Sequence, residues 1–116
     1  MTTEERVLVP LAEGFEEIEF VTIVDVLRRA GIDVTVAGLT PSPVMGSHGI
    51  PVTADADLGD LDPSAFTMVV LPGGMPGTRN LMQDERVLAL VRTLHGRGQR
   101  TAAICAAPLV LHAAGV

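Results

Sequence analysis

Short apolar runs alternate with amphipathic stretches along this chain, a pattern typical of proteins that mix strands and helices. Four runs predict buried strands, at 7–11, 33–39, 67–71 and 101–104. Helical periodicity predicts two longer helices, over about 16–30 and 84–98, and two short ones over 78–82 and 108–114. Pro51 confines a further strand, at 50–53, to an edge, and the acidic stretch 54–64 predicts a loop with one short helical turn.

The order of these elements is β-α-β-(β)-β-α-β-α. Strands that alternate with helices are typical of a parallel sheet covered by helices on both faces, so we predict an α/β, doubly wound fold. With 116 residues the chain has room for one domain at most, which we place at residues 1–116.

Composition and charge exclude several classes of function. The net charge is −6, aromatic residues make up 3% of the chain, and all eight cationic residues are arginine. An acidic, aromatic-poor chain is a poor ligand for nucleic acid or an anionic membrane surface. Because the chain has no lysine, Schiff-base chemistry and a P-loop lysine are excluded.

The sequence favours a reducing compartment. Residues 1–6 are polar and acidic, unlike a signal peptide, and no run approaches the roughly 20 apolar residues of a membrane span. The single cysteine, Cys105, cannot form an internal disulfide or a cysteine-rich zinc site. We therefore expect a cytoplasmic protein.

Cys105 directly follows a predicted strand and comes shortly before a predicted helix. In open α/β sheets, sites form beyond the carboxyl ends of strands, and a side chain at such a tight turn projects into the crevice. The amino terminus of the following helix favours thiolate over thiol. These features favour a reactive thiol, and the competing interpretation is a small, inert, buried hydrophobic residue.

Two other features lie near the carboxyl ends of predicted strands. Glycines in the turn Pro72-Gly73-Gly74 let backbone N–H groups point inward, as an oxyanion hole requires, although a plain turn explains them equally well. Glu19 lies near the start of the first helix, where a carboxyl facing a thiolate would stay protonated and donate a hydrogen bond to it. Helical periodicity alone favours a solvated acid at Glu19.

Several motifs occur in an order that matches a known family. They are Val7-Leu8-Val9, Gly14-x-Glu16-Glu17-x-Glu19, the segments 25–31 and 34–38, Leu71-Pro72-Gly73-Gly74, and Ala102-Ala103-Ile104-Cys105-Ala106-Ala107-Pro108. With this set the chain resembles the ThiJ/PfpI superfamily over nearly its whole length. The resemblance is to the branch of the Parkinsonism-associated protein deglycase and its bacterial YajL-like relatives.

The resemblance implies a flavodoxin-like fold of the class I glutamine amidotransferase type, and a homodimer. It implies that Cys105 is the reactive thiol at a nucleophile elbow and that Glu19 is the family's protonated carboxyl. It also implies a set of residues around the pocket, namely the backbone donors Gly74 and Ala106 and the pocket residues Gly73, Arg29 and His48.

The leading hypothesis from this resemblance is cofactor-independent glyoxalase III or protein deglycase activity. Cys105 would attack methylglyoxal, glyoxal or a glycated protein, and neither a metal ion nor glutathione would be needed. The alternative is an oxidative-stress sensor and holding chaperone that forms a sulfinate on the same cysteine. A fragment without catalysis of its own is the third interpretation.

The chain departs from the family pattern in two places. In the protease-like branch a histidine directly follows the cysteine, whereas Ala106 stands there in this chain, which removes the base of a Cys-His protease or amidotransferase. Family domains also continue past the position of Val116, and this continuation carries a further histidine of the branch. We therefore expect a fragment or a shortened relative, with an unpaired sheet edge and an open pocket wall.

Overall fold

A five-stranded parallel sheet organises the protein in the computed structural model, which describes residues 4–116. Residues 1–3 lie outside the described residues. They belong to the stretch 1–6, whose polar and acidic character is unlike that of a signal peptide. In chain order the elements are β1 (Arg6–Leu11), α1 (Glu17–Arg29), β2 (Asp33–Gly38), β3 (Val44–Met45), β4 (Pro51–Val52), β5 (Ala56–Asp57), β6 (Met68–Leu71), α2 (Gly77–Gln83), α3 (Glu85–Gly96), β7 (Arg100–Ala103) and α4 (Pro108–Ala114). The sheet order is β5-β2-β1-β6-β7, so β5 and β7 are its edges.

Two apolar layers lie on opposite faces of the sheet, because successive residues of a strand point to opposite sides. On one face Val7 belongs to a cluster with Phe20 and Val24 of α1. On the other face Leu8 belongs to a cluster with residues of α2, α3 and α4, among them Leu90. The predicted doubly wound α/β fold, with helices on both faces, is therefore confirmed. No helix within residues 4–116 has the length and apolar character needed to cross a bilayer.

The short elements differ from the sequence-based prediction. The strand predicted at 50–53 does not lie at an edge of the main sheet, because β4 pairs antiparallel with β3 in a separate hairpin. The predicted loop at 54–64 contains β5, which pairs with the end of β2. Helix α2 begins at Gly77, so Thr78 lies inside its first turn and is fully buried. Elements of two residues are too short to produce a recognisable period.

Candidate active site

Cys105 lies just beyond the end of β7, in a tight turn that leads into α4. Its side chain is exposed, and its φ of 60° is the one positive φ of a non-glycine residue within residues 4–116. The turn is closed by hydrogen bonds from the Ile104 amide to the Leu71 carbonyl at 3.2 Å and from the Ala107 amide to the Ile104 carbonyl at 2.9 Å. Left-handed backbone costs an L-residue about 1–2 kcal/mol. The surrounding contacts therefore hold Cys105 in a conformation that its local preference opposes.

Glu19, Gly73 and the Cys105 turn converge beyond the carboxyl ends of β6 and β7. Glu19 Oε1 accepts a hydrogen bond from the Gly73 amide at 3.2 Å. A Cβ atom built on Gly73 would lie 2.5 Å from Glu19 Oε1, 2.8 Å from the Ile104 carbonyl oxygen and 2.9 Å from Cys105 Cβ. All three groups therefore pack directly against Gly73, where there is no room for a side chain.

The glycine turn is fixed by the start of α1. The Glu16 amide donates a hydrogen bond to the Gly73 carbonyl at 3.0 Å. Gly74 has φ 98°, and a Cβ atom there would lie 2.6 Å from the Glu16 nitrogen, so the backbones touch. Within residues 4–116, the amides of Gly74 and Ala106 donate no backbone hydrogen bond. Both amides are thus available to a ligand.

Arg29 lies at the opposite end of α1 from Glu19. The two positions are separated by about 15 Å along the helix axis, at the usual helical rise. The Arg29 Nε atom pairs with Asp25 Oδ1 at 2.8 Å, and this contact raises the Arg29 pKa. Within one chain the structure does not bring Arg29 to Cys105.

His48 lies in the turn of the β3–β4 hairpin and contacts the start of α1. Its Nδ1 atom is 2.8 Å from Glu17 Oε1 and 3.9 Å from Glu16 Oε2, while its own amide donates to Glu17 Oε2 at 2.7 Å. The hydrogen bond and the charge of Glu17, with a contribution from Glu16, raise the His48 pKa. The predicted pocket residue His48 is therefore engaged with the two glutamates that precede Glu19 by two and three positions.

Glu17 is a buried carboxylate to which sequence reasoning assigned no specific role. Its exposed fraction is 5%, and Oε2 accepts from the Ile50 amide, at 3.3 Å, as well as from His48. Burial opposes its ionisation, but hydrogen bonds, led by that of the His48 side chain, outweigh burial and lower the Glu17 pKa to about 2. Spacing along the chain gave no signal for this pair, because its members are 31 positions apart.

An apolar groove adjoins the Cys105 turn on the α1 face of the sheet. Its volume is about 490 Å³, and its lining includes Glu19, Ile23, Val26, Met68, Val70 and Ile104. The groove runs between α1 and the β6–β7 half of the sheet. It therefore gives the Glu19 carboxyl a largely apolar flank.

The parallel sheet between two helical layers defines a flavodoxin-like α/β protein. The chain matches the model of the DJ-1/PfpI family over residues 5–116, and it belongs to that family. It is 46% identical over 110 residues to the protein dj-1beta of Drosophila melanogaster, covering 94% of this chain and 59% of that protein. The crystal structure of Drosophila melanogaster DJ-1beta has a TM-score of 0.93 and 44% sequence identity, covering 98% of this chain and 62% of that one.

A further relative carries an activity in its name. The chain is 32% identical over 111 residues to the deglycase TK1284 of Thermococcus kodakarensis, covering 96% of this chain and 66% of that protein. The chain spans 59% and 66% of the lengths of these two relatives, and about a quarter of the length of the protein DJ-1 homologs A and B of Arabidopsis thaliana. The family inferred from the sequence motifs is confirmed.

Proposed function

We propose that this protein is a cofactor-independent glyoxalase III or protein deglycase with Cys105 as its nucleophile. The observation that carries the proposal is the close packing of Cys105 Cβ and Glu19 Oε1 around Gly73, which brings the thiol turn and the carboxyl together. The name of the Thermococcus relative supports it. Because the chain spans part of its relatives' length, activity within these 116 residues is itself part of the proposal.

The first step is addition of the thiolate to methylglyoxal. The Cys105 sulfur forms a bond to the aldehyde carbon, and the carbonyl electron pair moves to the oxygen. The free amides of Gly74 and Ala106 stabilise this oxyanion. Glu19 passes a proton to the oxygen and gives a neutral hemithioacetal.

The second step moves a hydrogen between neighbouring carbons. The Glu19 carboxylate removes the proton from the former aldehyde carbon, which gives an enediol, and returns it to the adjacent carbon. The product is a thioester of lactate on Cys105. Water hydrolyses the thioester, which releases lactate and regenerates the thiol. On a glycated thiol, amine or guanidinium group, the Cys105 sulfur would bond to the adduct carbon as the bond from that carbon to the protein sulfur or nitrogen breaks, and the released protein group would take a proton from Glu19.

The test is methylglyoxal consumption, with lactate detection, in the absence of glutathione. We expect Cys105→Ala to abolish turnover and Glu19→Gln to reduce kcat by about 100-fold or more, the usual range for a positioned acid or base. Glu85→Gln, which changes an exposed acid in the first turn of α3, is the matched control and should retain full activity. Undiminished turnover in Cys105→Ala would contradict the proposal.

The exposure of Cys105 favours a second candidate, a peroxide sensor with holding-chaperone activity. One hydrogen peroxide would convert the thiolate to sulfenate with release of water, and a second would give sulfinate with release of another water. Intact-mass spectrometry at low peroxide should then show stepwise gain of two oxygen atoms in the chain and none in Cys105→Ala. A thiol that stays unmodified excludes the sensor, and absence of both activities leaves the non-catalytic fragment.

The proposal includes a cytoplasmic location and a homodimer. Ile18 and Val21 of α1 are 76% and 52% exposed, and exposed apolar residues on one helix favour self-association. Sedimentation velocity should give a dimer for the chain and a monomer for Ile18→Glu. A monomer for the unmodified chain at all concentrations would remove the homodimer from the proposal.

No nucleic acid or membrane partner is proposed; the partner is a small reactive carbonyl or a glycated protein.

A further inference from the structure

We propose that Glu16, Glu17 and His48 bind a divalent transition-metal ion at the start of α1. One imidazole nitrogen and one oxygen from each carboxylate lie within 4.8 Å of one another. Ligand atoms about 2.0–2.2 Å from one ion are separated by roughly 3–3.6 Å, and the observed separations of 2.8 and 3.9 Å from His48 Nδ1 bracket that range. Small side-chain rotations would therefore bring all three atoms onto one ion.

The two carboxylates are already oriented for this role by backbone amides. Glu16 Oε1 accepts from the Ile18 amide at 2.9 Å, which leaves Oε2 facing His48. Glu17 Oε2 accepts from the amides of His48 and Ile50, which leaves Oε1 facing the same ring nitrogen. Each carboxylate thus uses one oxygen to fix its orientation and presents the other, the arrangement that outer hydrogen bonds give to metal ligands.

The charge balance of this cluster favours a cation. Within residues 4–116, His48 is the one basic group that forms an ion pair with Glu16 or Glu17. Two carboxylates and one imidazolium together carry a net negative charge. Two carboxylates, a neutral imidazole and a divalent ion together carry no net charge. The partial positive charge of the α1 amino terminus opposes a cation, and the two anionic side chains exceed it. Binding would release the Nδ1 proton to solvent.

The donor set points to the class of ion. An imidazole nitrogen with carboxylate oxygens suits Zn²⁺ and its first-row neighbours, whereas Ca²⁺ and Mg²⁺ prefer oxygen alone. The Ser47 hydroxyl, 3.1 Å from His48 Nδ1 and 3.3 Å from Glu17 Oε1, is a further oxygen beside the site. The His48 side chain is 69% exposed, so an ion can enter from solvent.

Zinc titration of the Cys105→Ala chain tests the site, because this background removes the single thiol and is independent of the proposed enzyme activity. We expect one zinc per chain by calorimetry, and NMR shifts confined to the His48 ring among the three histidines. His48→Gln should abolish binding, and Glu16→Gln should weaken it about tenfold or more. His95→Gln and Glu85→Gln are the matched controls and should bind zinc like their parent.

Several results would overturn the metal site. They are the absence of binding heat at micromolar zinc, equal perturbation of all three histidine rings, and undiminished affinity in His48→Gln. Circular dichroism of each variant checks that the fold is retained. If Glu16→Gln is unfolded, the calorimetric comparison of His48→Gln with His95→Gln decides the question, since both histidines are exposed.

Discussion

The Glu17 carboxylate and the His48 imidazole meet at 2.8 Å, with the glutamate buried and the histidine mostly in solvent. This contact joins the first turn of α1 to the β3–β4 hairpin. A Cβ atom at Gly46 would overlap the Glu17 carboxylate, so the hairpin backbone lies directly over that carboxylate. The charged contact therefore adds to the buried Val44 side chain and to the hydrogen bond from the Ser47 amide to the Phe15 carbonyl, at 2.8 Å, in holding the hairpin against α1.

The first prediction is that this contact makes stability depend on pH in two opposite senses. The Glu17 pKa is lowered from 4.5 to about 2, so its contribution is fully present above 4.5 and is lost as the pH falls toward 2. The His48 pKa is raised from 6.5, so its contribution is fully present below 6.5 and is lost as the pH rises through the raised value. We expect the contact to stabilise most between these limits.

Urea unfolding across a pH range of about 3 to 9 checks this prediction. In His48→Gln the loss of stability on the alkaline side should disappear, and the loss on the acidic side should shrink. His95→Gln should keep the profile of the unmodified chain. If His48→Gln and the unmodified chain have the same profile, the contact does not contribute to stability in solution.

The second prediction concerns the close packing around Gly73. An alanine there would place its Cβ within 2.9 Å of Glu19, Ile104 and Cys105, and the Ile104 contact is to backbone, which cannot move cheaply. We expect Gly73→Ala to destabilise the protein by about 1–3 kcal/mol and to abolish the proposed activity. Gly96→Ala, where a Cβ meets nothing within 4 Å, should instead stabilise by about 0.5–1 kcal/mol. Equal effects at both positions would contradict the crowding at Gly73.

The third prediction uses the left-handed backbone of Cys105. Glycine adopts φ 60° without the steric cost that alanine and cysteine share. We expect Cys105→Gly to be more stable than Cys105→Ala by roughly 1 kcal/mol, measured as the free energy of unfolding in urea. An alanine variant as stable as the glycine variant would mean that the turn relaxes in solution.

The fourth prediction concerns Thr78. Its side chain is fully buried in the first turn of α2, and its hydroxyl has no hydrogen-bond partner within residues 4–116. Because an unsatisfied buried hydroxyl costs about 1–3 kcal/mol, we expect the isosteric Thr78→Val to raise the free energy of unfolding by about 1 kcal/mol. Thr78→Ser keeps the hydroxyl and loses a methyl group, so it should be destabilising. A destabilised valine variant would indicate that the hydroxyl is satisfied in solution.

Elements with a recognisable pattern could be predicted from the sequence, including the short α4, β6 and β7, whereas the pairing of the two-residue strands could not. Helices α1 and α3 begin and end within two residues of the predicted bounds, because each buries a full apolar stripe. The strand β5 has two residues and no alternation of its own, and its place is set by pairing with β2. Local pattern therefore fixes an element only where the element is long enough to have a period.

Some residues of the candidate site could likewise be predicted from the sequence, and others could not. The position of Cys105 after a strand indicated a site, since strand ends are where α/β folds bind ligands. Periodicity alone favoured solvent for Glu19, whereas its place near the end of the first strand and the family resemblance pointed to the site where its carboxyl bonds Gly73. The Glu17–His48 contact depends on how the hairpin folds back over α1, which neither spacing nor composition encodes.

Strand β7 is an edge of the sheet and also the segment on which Cys105 is mounted. It pairs with β6 on one side, whereas the central β1 is paired on both sides. The pairing of β7 with β6 runs through all four of its residues, and the Ile104 amide extends it to the Leu71 carbonyl. Leu71 directly precedes Pro72 and Gly73. The thiol turn and the glycine turn are thus fastened side by side at the ends of one ladder of backbone hydrogen bonds.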